Sequence, residues 1–300
     1  MPGTLAEFSQ QLANLVEMAG QSVVSVLEGG RTGVSGTVWR EGIGVVVDHT
    51  IQGLEEVTVI LPSGAETKAA VTARDLGTDI ALLKLPTETP AAALADDSTA
   101  RPGEIVLSVG RRGTEGLAAA YGLISAISGP WRTSSGGRFD RWFRLDLNPF
   151  PGFSGGPIVN ADCEVLGIAT SGPGRSAAVV PAATVNRVVD QLLKHGHTLR
   201  GYIGIGVQPV VFPDDAWQTL GIGGGRGLLI TAVAPVSAAT DAGLILGDVI
   251  VAIDGKSLQT GATLQSILDG ENVGKSVPLD IVRGGHQLRV DVVVRERPAS

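Results

Sequence analysis

Apolar residues change their spacing early in the chain. Leu5, Phe8, Leu12, Leu15 and Val16 recur at near-helical intervals. Thr4 and, three residues on, Glu7 form a capping-box pattern at the start of that run. From residue 22 the pattern becomes short β-like runs at 22–27, 34–40, 43–48, 57–61, 69–73 and 80–85. Turn chemistry separates them: Gly29-Gly30, Glu41-Gly42, Pro62-Ser63-Gly64 and Leu76-Gly77. Short strands at this spacing predict a closed β-barrel rather than βαβ units. Residues 86–103, rich in Ala, Pro, Thr and Asp, read as a connection. A second set follows at 104–109, 117–127, 142–147, 157–160, 164–170 and 177–180. Two such sets predict two barrels packed together, with a cleft between them.

Val185, Val188, Val189, Leu192 and Leu193 then return to helical spacing, and Gly196 stops that helix. A polar link at 195–201 leads to a separate unit. Its strand-like runs are 227–233, 249–253, 277–282 and 288–294, with a short helix expected at 263–268. The chain therefore reads as mainly β: an N-terminal helix at 1–21, a double-barrel domain at 22–198 and an α+β domain at 199–298.

Composition narrows the function classes. Of 300 residues, 43% are hydrophobic and 18% charged, which is globular rather than disordered. A net charge of −7 argues against a nucleic-acid partner. Cys163 is the single cysteine, so an intrachain disulfide and a Cys-rich metal site are excluded, and it reads as a small apolar residue. No metal or organic cofactor is implied. The sequence has no 18-residue apolar run, so no transmembrane helix is expected. The N-terminus has no basic stretch ahead of an apolar one, and Glu7 and Glu17 interrupt its apolar residues. On these grounds the chain reads as cytoplasmic. A periplasmic or other extracytoplasmic chain trimmed of its export signal would read the same.

Candidate chemistry centres on Gly152-Phe153-Ser154-Gly155-Gly156-Pro157. Glycines allow a sharply turned backbone whose N–H groups converge, as acyl transfer needs for a developing oxyanion. The same residues also fit a glycine-rich hairpin turn or the G-x-S-x-G elbow of α/β-hydrolases. An elbow leads into a helix, whereas here the sequence reads strand, turn, strand, which disfavours that alternative. Upstream, His49 ends the apolar run 43–47, and Asp79 stands at the mouth of the apolar run 80–85. His195, His197 and His286 read as exposed or capping residues. A buried carboxylate needs a donor, and an imidazole N–H is a suitable one. The order His, Asp, Ser is that of chymotrypsin-type enzymes.

The chain resembles the HtrA/Deg family of PDZ serine proteases over residues 20–297. The matching stretches include Ser35-Gly36, Asp48-His49-Thr50-Ile51, Thr78-Asp79-Ile80-Ala81-Leu82-Leu83, Arg101-Pro102-Gly103, Gly122-Leu123-Ile124-Ser125-Ala126 and 152–160. In the last domain they are Tyr202-Ile203-Gly204-Ile205, Asp241-Ala242-Gly243-Leu244, Gly247-Asp248-Val249-Ile250 and Ile253-Asp254-Gly255-Lys256. The resemblance implies a chymotrypsin/trypsin-like double β-barrel followed by one PDZ domain. His49 would be the base, Asp79 its orienting partner and Ser154 the nucleophile. The backbone of Gly152, Phe153 and Ser154 would form the oxyanion hole. It also implies an ATP-independent endopeptidase for unfolded or damaged proteins, or alternatively a latent protease acting as a peptide-binding chaperone or scaffold. A homotrimer is the family's common assembly. The PDZ domain would take C-terminal peptides at Tyr202, Ile203, Gly204 and Ile205, with Leu264, Ile267 and Leu268 lining its pocket. Two departures stand out. Asp48 occupies a position where the family usually has Asn, and Phe150 and Phe153 replace two asparagines of the serine loop. The phenylalanines predict a greasier site.

Overall fold

The computed structural model describes residues 4–27, 33–133, 136–147, 151–171, 177–213, 220, 225–258, 264 and 268–298. The chain divides into two compact units, Met1–His197 and Thr198–Ser300.

The first unit opens with helix α1 (Thr4–Gly20). Strands β1 (Val23–Leu27), β2 (Val34–Arg40), β3 (Ile43–Val47), β4 (Glu56–Ile60), β5 (Glu66–Asp75) and β6 (Ile80–Lys84) follow. They close into an antiparallel barrel in the order β1-β2-β3-β6-β5-β4. Next come β7 (Ile105–Arg111), β8 (Leu117–Ser128), a small hairpin of β9 (Trp131–Arg132) and β10 (Arg138–Phe139), then β11 (Trp142–Asp146), β12 (Pro157–Val159), β13 (Val165–Ser171) and β14 (Ala177–Pro181). The second barrel closes as β11-β14-β13-β12-β7-β8.

Side chains alternate across a strand, and here both faces of several strands are buried against different cores. Val46 and Leu83 point into the first barrel with Val24, Val26, Val38 and Val59. Their neighbours Val45 and Leu82 join Leu107, Val109, Ile168 and Val180 in a core shared by the two barrels. Helix α2 (Ala182–His195) covers that shared core with Val185, Val188, Val189 and Leu192. Gly196, at φ 76°, ends α2 in the left-handed region and returns its N–H to Leu192 O at 2.9 Å. At the other end Pro181 offers no side-chain cap. The Asp97 carboxylate accepts from Ala183 N at 2.9 Å instead. Burial raises the pKa of Asp97 above the ordinary carboxylate value, and the bond from Ala183 opposes that rise.

The second unit holds β15 (Gly201–Tyr202), β16 (Ile205–Val211), β17 (Arg226–Val233), the short helix α3 (Ala238–Asp241), β18 (Val249–Ile253), β19 (Lys256–Ser257), β20 (Ser276–Arg283), β21 (His286–Val293) and β22 (Arg295–Glu296). The main sheet runs β16-β17-β18-β20-β21, with β19 on β18, and β15 pairs with β22. Ile203, Ile230, Ile250, Leu279, Ile281 and Val292 form its core. Asp248 is fully buried there. Burial would raise its pKa, but the Arg283 guanidinium, at 2.7 Å from both carboxylate oxygens, and Ile245 N–H hold it below the usual value.

Two of the longer strands depart from the sequence pattern. β5 extends on both sides of the expected 69–73, because polar Glu66, Thr67 and Lys68 pair with β4 on a face left partly in water. β16, with Gly206, Gln208 and Pro209, lacks an apolar alternation yet lies at a sheet edge, where a proline is tolerated. The β9–β10 hairpin was also absent from the sequence reading. Of the helix expected at 263–268, only Leu264 and Leu268 lie within the described residues.

Candidate active site

The apolar run of β3 ends where the chain turns into a single 3₁₀ turn, Asp48–Thr50. Thr50 Oγ1 donates to Val47 O at 2.6 Å, closing that turn. His49 sits on it with its side chain about half exposed. Asp79 lies at the tight β5–β6 connection. The buried Asp75 carboxylate organises this turn, accepting from Thr78 N at 3.0 Å and Thr78 Oγ1 at 2.6 Å. From the β9–β10 hairpin, Thr133 Oγ1 donates to Gly77 O at 2.9 Å. Asp79 itself has φ 62°, a left-handed conformation that aspartate tolerates better than most residues.

The result is a three-donor cradle around one carboxylate. His49 Nδ1 lies 2.7 Å from Asp79 Oδ2, His49 N donates to Asp79 Oδ1 at 2.9 Å, and Thr170 Oγ1 donates to Oδ2 at 3.3 Å. Thr170 comes from β13 of the other barrel, and the sequence reading passed over it. No motif surrounds it, and only the closure of the fold brings it to Asp79.

Ser154 is presented by backbone rather than by side chains. Each carbonyl from residue 152 to 156 is occupied. Ser35 Oγ donates to Gly152 O (2.7 Å), Gly156 N to Phe153 O (2.8 Å) and Ser35 N to Ser154 O (3.1 Å). Thr37 Oγ1 donates to Gly155 O (2.9 Å) and Ala169 N to Gly156 O (2.8 Å). Gly155 N is spent on Ala169 O at 2.8 Å. The N–H groups of Gly152 and Ser154 find no partner among the described residues. Two unpaired donors flanking a serine suit a developing oxyanion. Gly155, at φ 88°, has no room for a side chain: a Cβ would meet Ser35 O at 2.1 Å. Ser154 Oγ makes no hydrogen bond to His49 or to any other described residue.

The expected greasy site fails for Phe153. Its ring is fully buried, packed over Gly110 of β7, where a Cβ would lie 2.4 Å from Phe153 Cδ1. The aromatic substitution adds to the interior because the loop's glycines let residue 153 turn inward. Phe150 lies outside the described residues.

In the second unit Ile203 is a core residue, about 2% exposed. Tyr202 pairs with Arg295 across β15–β22. Ile205 opens the edge strand β16. Gly204, at φ 84°, is forced by Ser237, whose Cβ would lie 2.2 Å from an added Cβ. The carbonyls of Ile203 and Gly204 accept from Ala239 N and Ala234 N at 2.8 Å each, while their own N–H groups find no partner among the described residues. Leu264 and Leu268 pack half-buried against the same core. Ile267 lies outside the described residues.

Comparison with known proteins agrees with this division of the chain. Residues 34–168 match the trypsin-like peptidase domain, and residues 229–283 match the PDZ domain. The chain thus joins a trypsin-like peptidase domain to one PDZ domain. A probable periplasmic serine endoprotease, DegP-like, from Halomonas elongata is 30% identical over 259 residues, covering 84% of this chain and 54% of that protein. The solved structure of the HtrA-type protease AlgW with tripeptide superimposes with a TM-score of 0.76 at 25% identity, over 96% of this chain and 98% of that one. The serine endoprotease from Yersinia pestis gives 0.73 at 25% identity, over 95% and 98%. The chain is similar to HtrA-type serine proteases in sequence and fold, and it spans about half the length of the DegP-like relatives it matches.

The expectation of a cytoplasmic chain is overturned by these relatives, which are named periplasmic. A folded domain with one cysteine and an ordinary globular surface carries no compositional mark of its compartment. No described helix is long and apolar enough to cross a membrane.

Proposed function

We propose that the chain is a serine endopeptidase working through an acyl-enzyme. His49 takes the proton of Ser154 as Ser154 attacks a peptide carbonyl, and Asp79 holds the imidazole tautomer and stabilises the imidazolium. Gly152 and Ser154 N–H stabilise the tetrahedral oxyanion. His49 then protonates the leaving amine, and water admitted by the same base hydrolyses the ester. The observation that carries this reading is the pairing of a carboxylate-held histidine with a serine flanked by two unspent N–H groups. The substrate class is unfolded or damaged protein, cleaved without ATP, with the PDZ domain holding C-terminal peptides. The unpaired N–H groups of Ile203 and Gly204, beside the open edge of β16, support carboxylate capture with strand addition. By family likeness the working assembly is a homotrimer.

One observation favours a second reading, a latent protease serving as a peptide-binding chaperone or scaffold: Ser154 Oγ is not hydrogen-bonded to His49. Such contacts commonly tighten only with substrate. Fluorophosphonate labelling and β-casein cleavage separate the two. The endopeptidase labels at Ser154 and cleaves, and Ser154→Ala abolishes both, by about a million-fold in turnover. Labelling without cleavage selects the latent form, and cleavage by Ser154→Ala at the wild-type rate refutes the assignment.

A further inference from the structure

We propose that Arg74 and Asp48 form a positioning device for the base, with one guanidinium setting the backbone direction at His49. The proposal rests on the reading of His49 as the base.

Asp48 immediately precedes His49 and is only 3% exposed. A carboxylate so buried needs a charged or multiply donating partner. Arg74, from the end of β5, supplies it: Arg74 Nη1 is bound to Asp48 Oδ1. Its Nη2 donates to Ile51 O at 3.1 Å and also to Leu54 O. The planar fork therefore grips the residue before the histidine and two carbonyls after it. Arginine can do this because its donors leave a rigid plane in several directions at once.

The segment depends on this grip. The bonds within 48–54 are local: Ile51 N to Asp48 O at 3.0 Å, Leu54 N to Ile51 O at 3.2 Å and the Thr50 hydroxyl to Val47 O. Asp48 N reaches Asp79 O at 3.0 Å, so the turn and the carboxylate partner share one anchor. Ile51 is fully buried and fixes the floor of the turn. Only Arg74 ties its two ends together among the described residues. Rotation of the turn about the Ile51 anchor would swing the imidazole away from Asp79 Oδ2. Displacements of about 1 Å in a catalytic group cost on the order of 100-fold in rate.

The aspartate at 48 fits this device. Its charge completes Arg74's surroundings, so arginine and aspartate act as a unit and neither can be changed alone without leaving a buried charge or a buried acceptor unmatched.

The test uses the full chain with Arg74→Ala, Arg74→Lys and Asp48→Asn. Two quantities are read: kcat and KM on an unfolded protein substrate, and the low-field proton resonance of His49 Nδ1–H, which reports the bond to Asp79 directly. Melting curves confirm that each variant is folded at the assay temperature. Arg74→Ala is expected to lower kcat about 100-fold with KM changed less than about threefold, and to shift or remove the resonance. Arg74→Lys keeps the charge but not the fork, and falls about tenfold with a displaced resonance. Asp48→Asn keeps an acceptor for Arg74 and loses least of the three. If Arg74→Ala does not fold, Arg74→Lys and Asp48→Asn carry the test. A folded Arg74 variant with the wild-type resonance overturns the proposal, even where kcat falls. A wild-type chain unreactive toward a fluorophosphonate refutes the role of Ser154 instead, while the resonance comparison still reports on the device.

Discussion

The two barrels contribute to the site in opposite ways. The first builds its half around side chains: an imidazole held to a carboxylate at 2.7 Å on two short turns, the same carboxylate also accepting the His49 main-chain N–H at 2.9 Å. The second builds its half from main chain: Ser154 stands on a glycine-rich loop whose carbonyls are all taken. Each half also borrows from the other. Thr170 of the second barrel reaches Asp79, and Ser35 and Thr37 of the first reach the Ser154 loop. A side-chain half fails when one polar atom is swapped. A main-chain half tolerates changes in side-chain chemistry, as Phe153 illustrates, but fails when backbone shape is disturbed.

The largest test of that contrast is Asp79→Asn. An amide at that position leaves the backbone in place but favours the wrong histidine tautomer, so kcat is expected to drop about 10⁴-fold while the variant remains folded. Retention of a tenth of wild-type turnover would mean that Asp79 does not orient His49. Next comes Gly155→Ala, a change of one methyl with no polar atom altered. The Cβ meets Ser35 O and the positive φ is strained, so fluorophosphonate labelling is expected to slow by about 10²–10³-fold. Labelling at the wild-type rate would show that the loop's shape is not what activates Ser154.

Smaller still is the effect of deleting the cross-barrel hydroxyls. Thr37→Ala removes one hydrogen bond and Ser35→Ala two, each of about 1 kcal/mol, so labelling should slow by about fivefold and about thirtyfold respectively. Ser35 is the more sensitive of the two because its Oγ also accepts from Arg111 N at 3.0 Å. Equal, wild-type rates in both variants would detach the first barrel from the second half of the site.

The smallest effects lie away from the site, in two buried carboxylates whose pKa values are shifted in opposite directions. The pKa of Asp97 is raised in the folded state, so its contribution to stability is present below the ordinary carboxylate value and is lost as pH rises through the raised one. Asp97→Asn is expected to leave the melting temperature at pH 7 unchanged or slightly higher. The pKa of Asp248 is lowered, so its contribution is present above the ordinary value and is lost as pH falls through the lowered one. Asp248→Asn is expected to lower the PDZ unit's melting temperature at pH 7, and the difference from wild type should shrink in acid. Thermal melts between pH 3 and 7, a range chosen around the ordinary carboxylate value of about 4, read both. Parallel curves for the two variants would contradict the opposite shifts.

How much of this was legible in the chain follows the same division. The barrels were readable because strands such as 22–27 and 43–48 carry apolar residues on both faces, and a doubly buried strand leaves an unbroken hydrophobic run. His49, Asp79 and Ser154 stood out as candidates because each stands beside a turn or at the end of such a run. Thr170 was not, since its role depends on a contact 91 residues away in sequence. Arg74 was hidden for the same reason: it is one polar residue among several in a half-exposed strand. The inward turn of Phe153 could not be read from its apolarity, because the direction of a side chain on a glycine loop is set by backbone angles. β16 was missed because an edge strand needs no hydrophobic alternation.

That edge carries its own limit. Pro209 sits in the middle of β16, opposite Leu228, and has no N–H to offer on either side. A strand arriving along the open edge from the Ile205 end can form only a few rungs before it meets a missing donor. The proline acts as a ruler for anything zipped onto the sheet, and it also interrupts the row of unpaired groups through which two such edges would otherwise stick to each other.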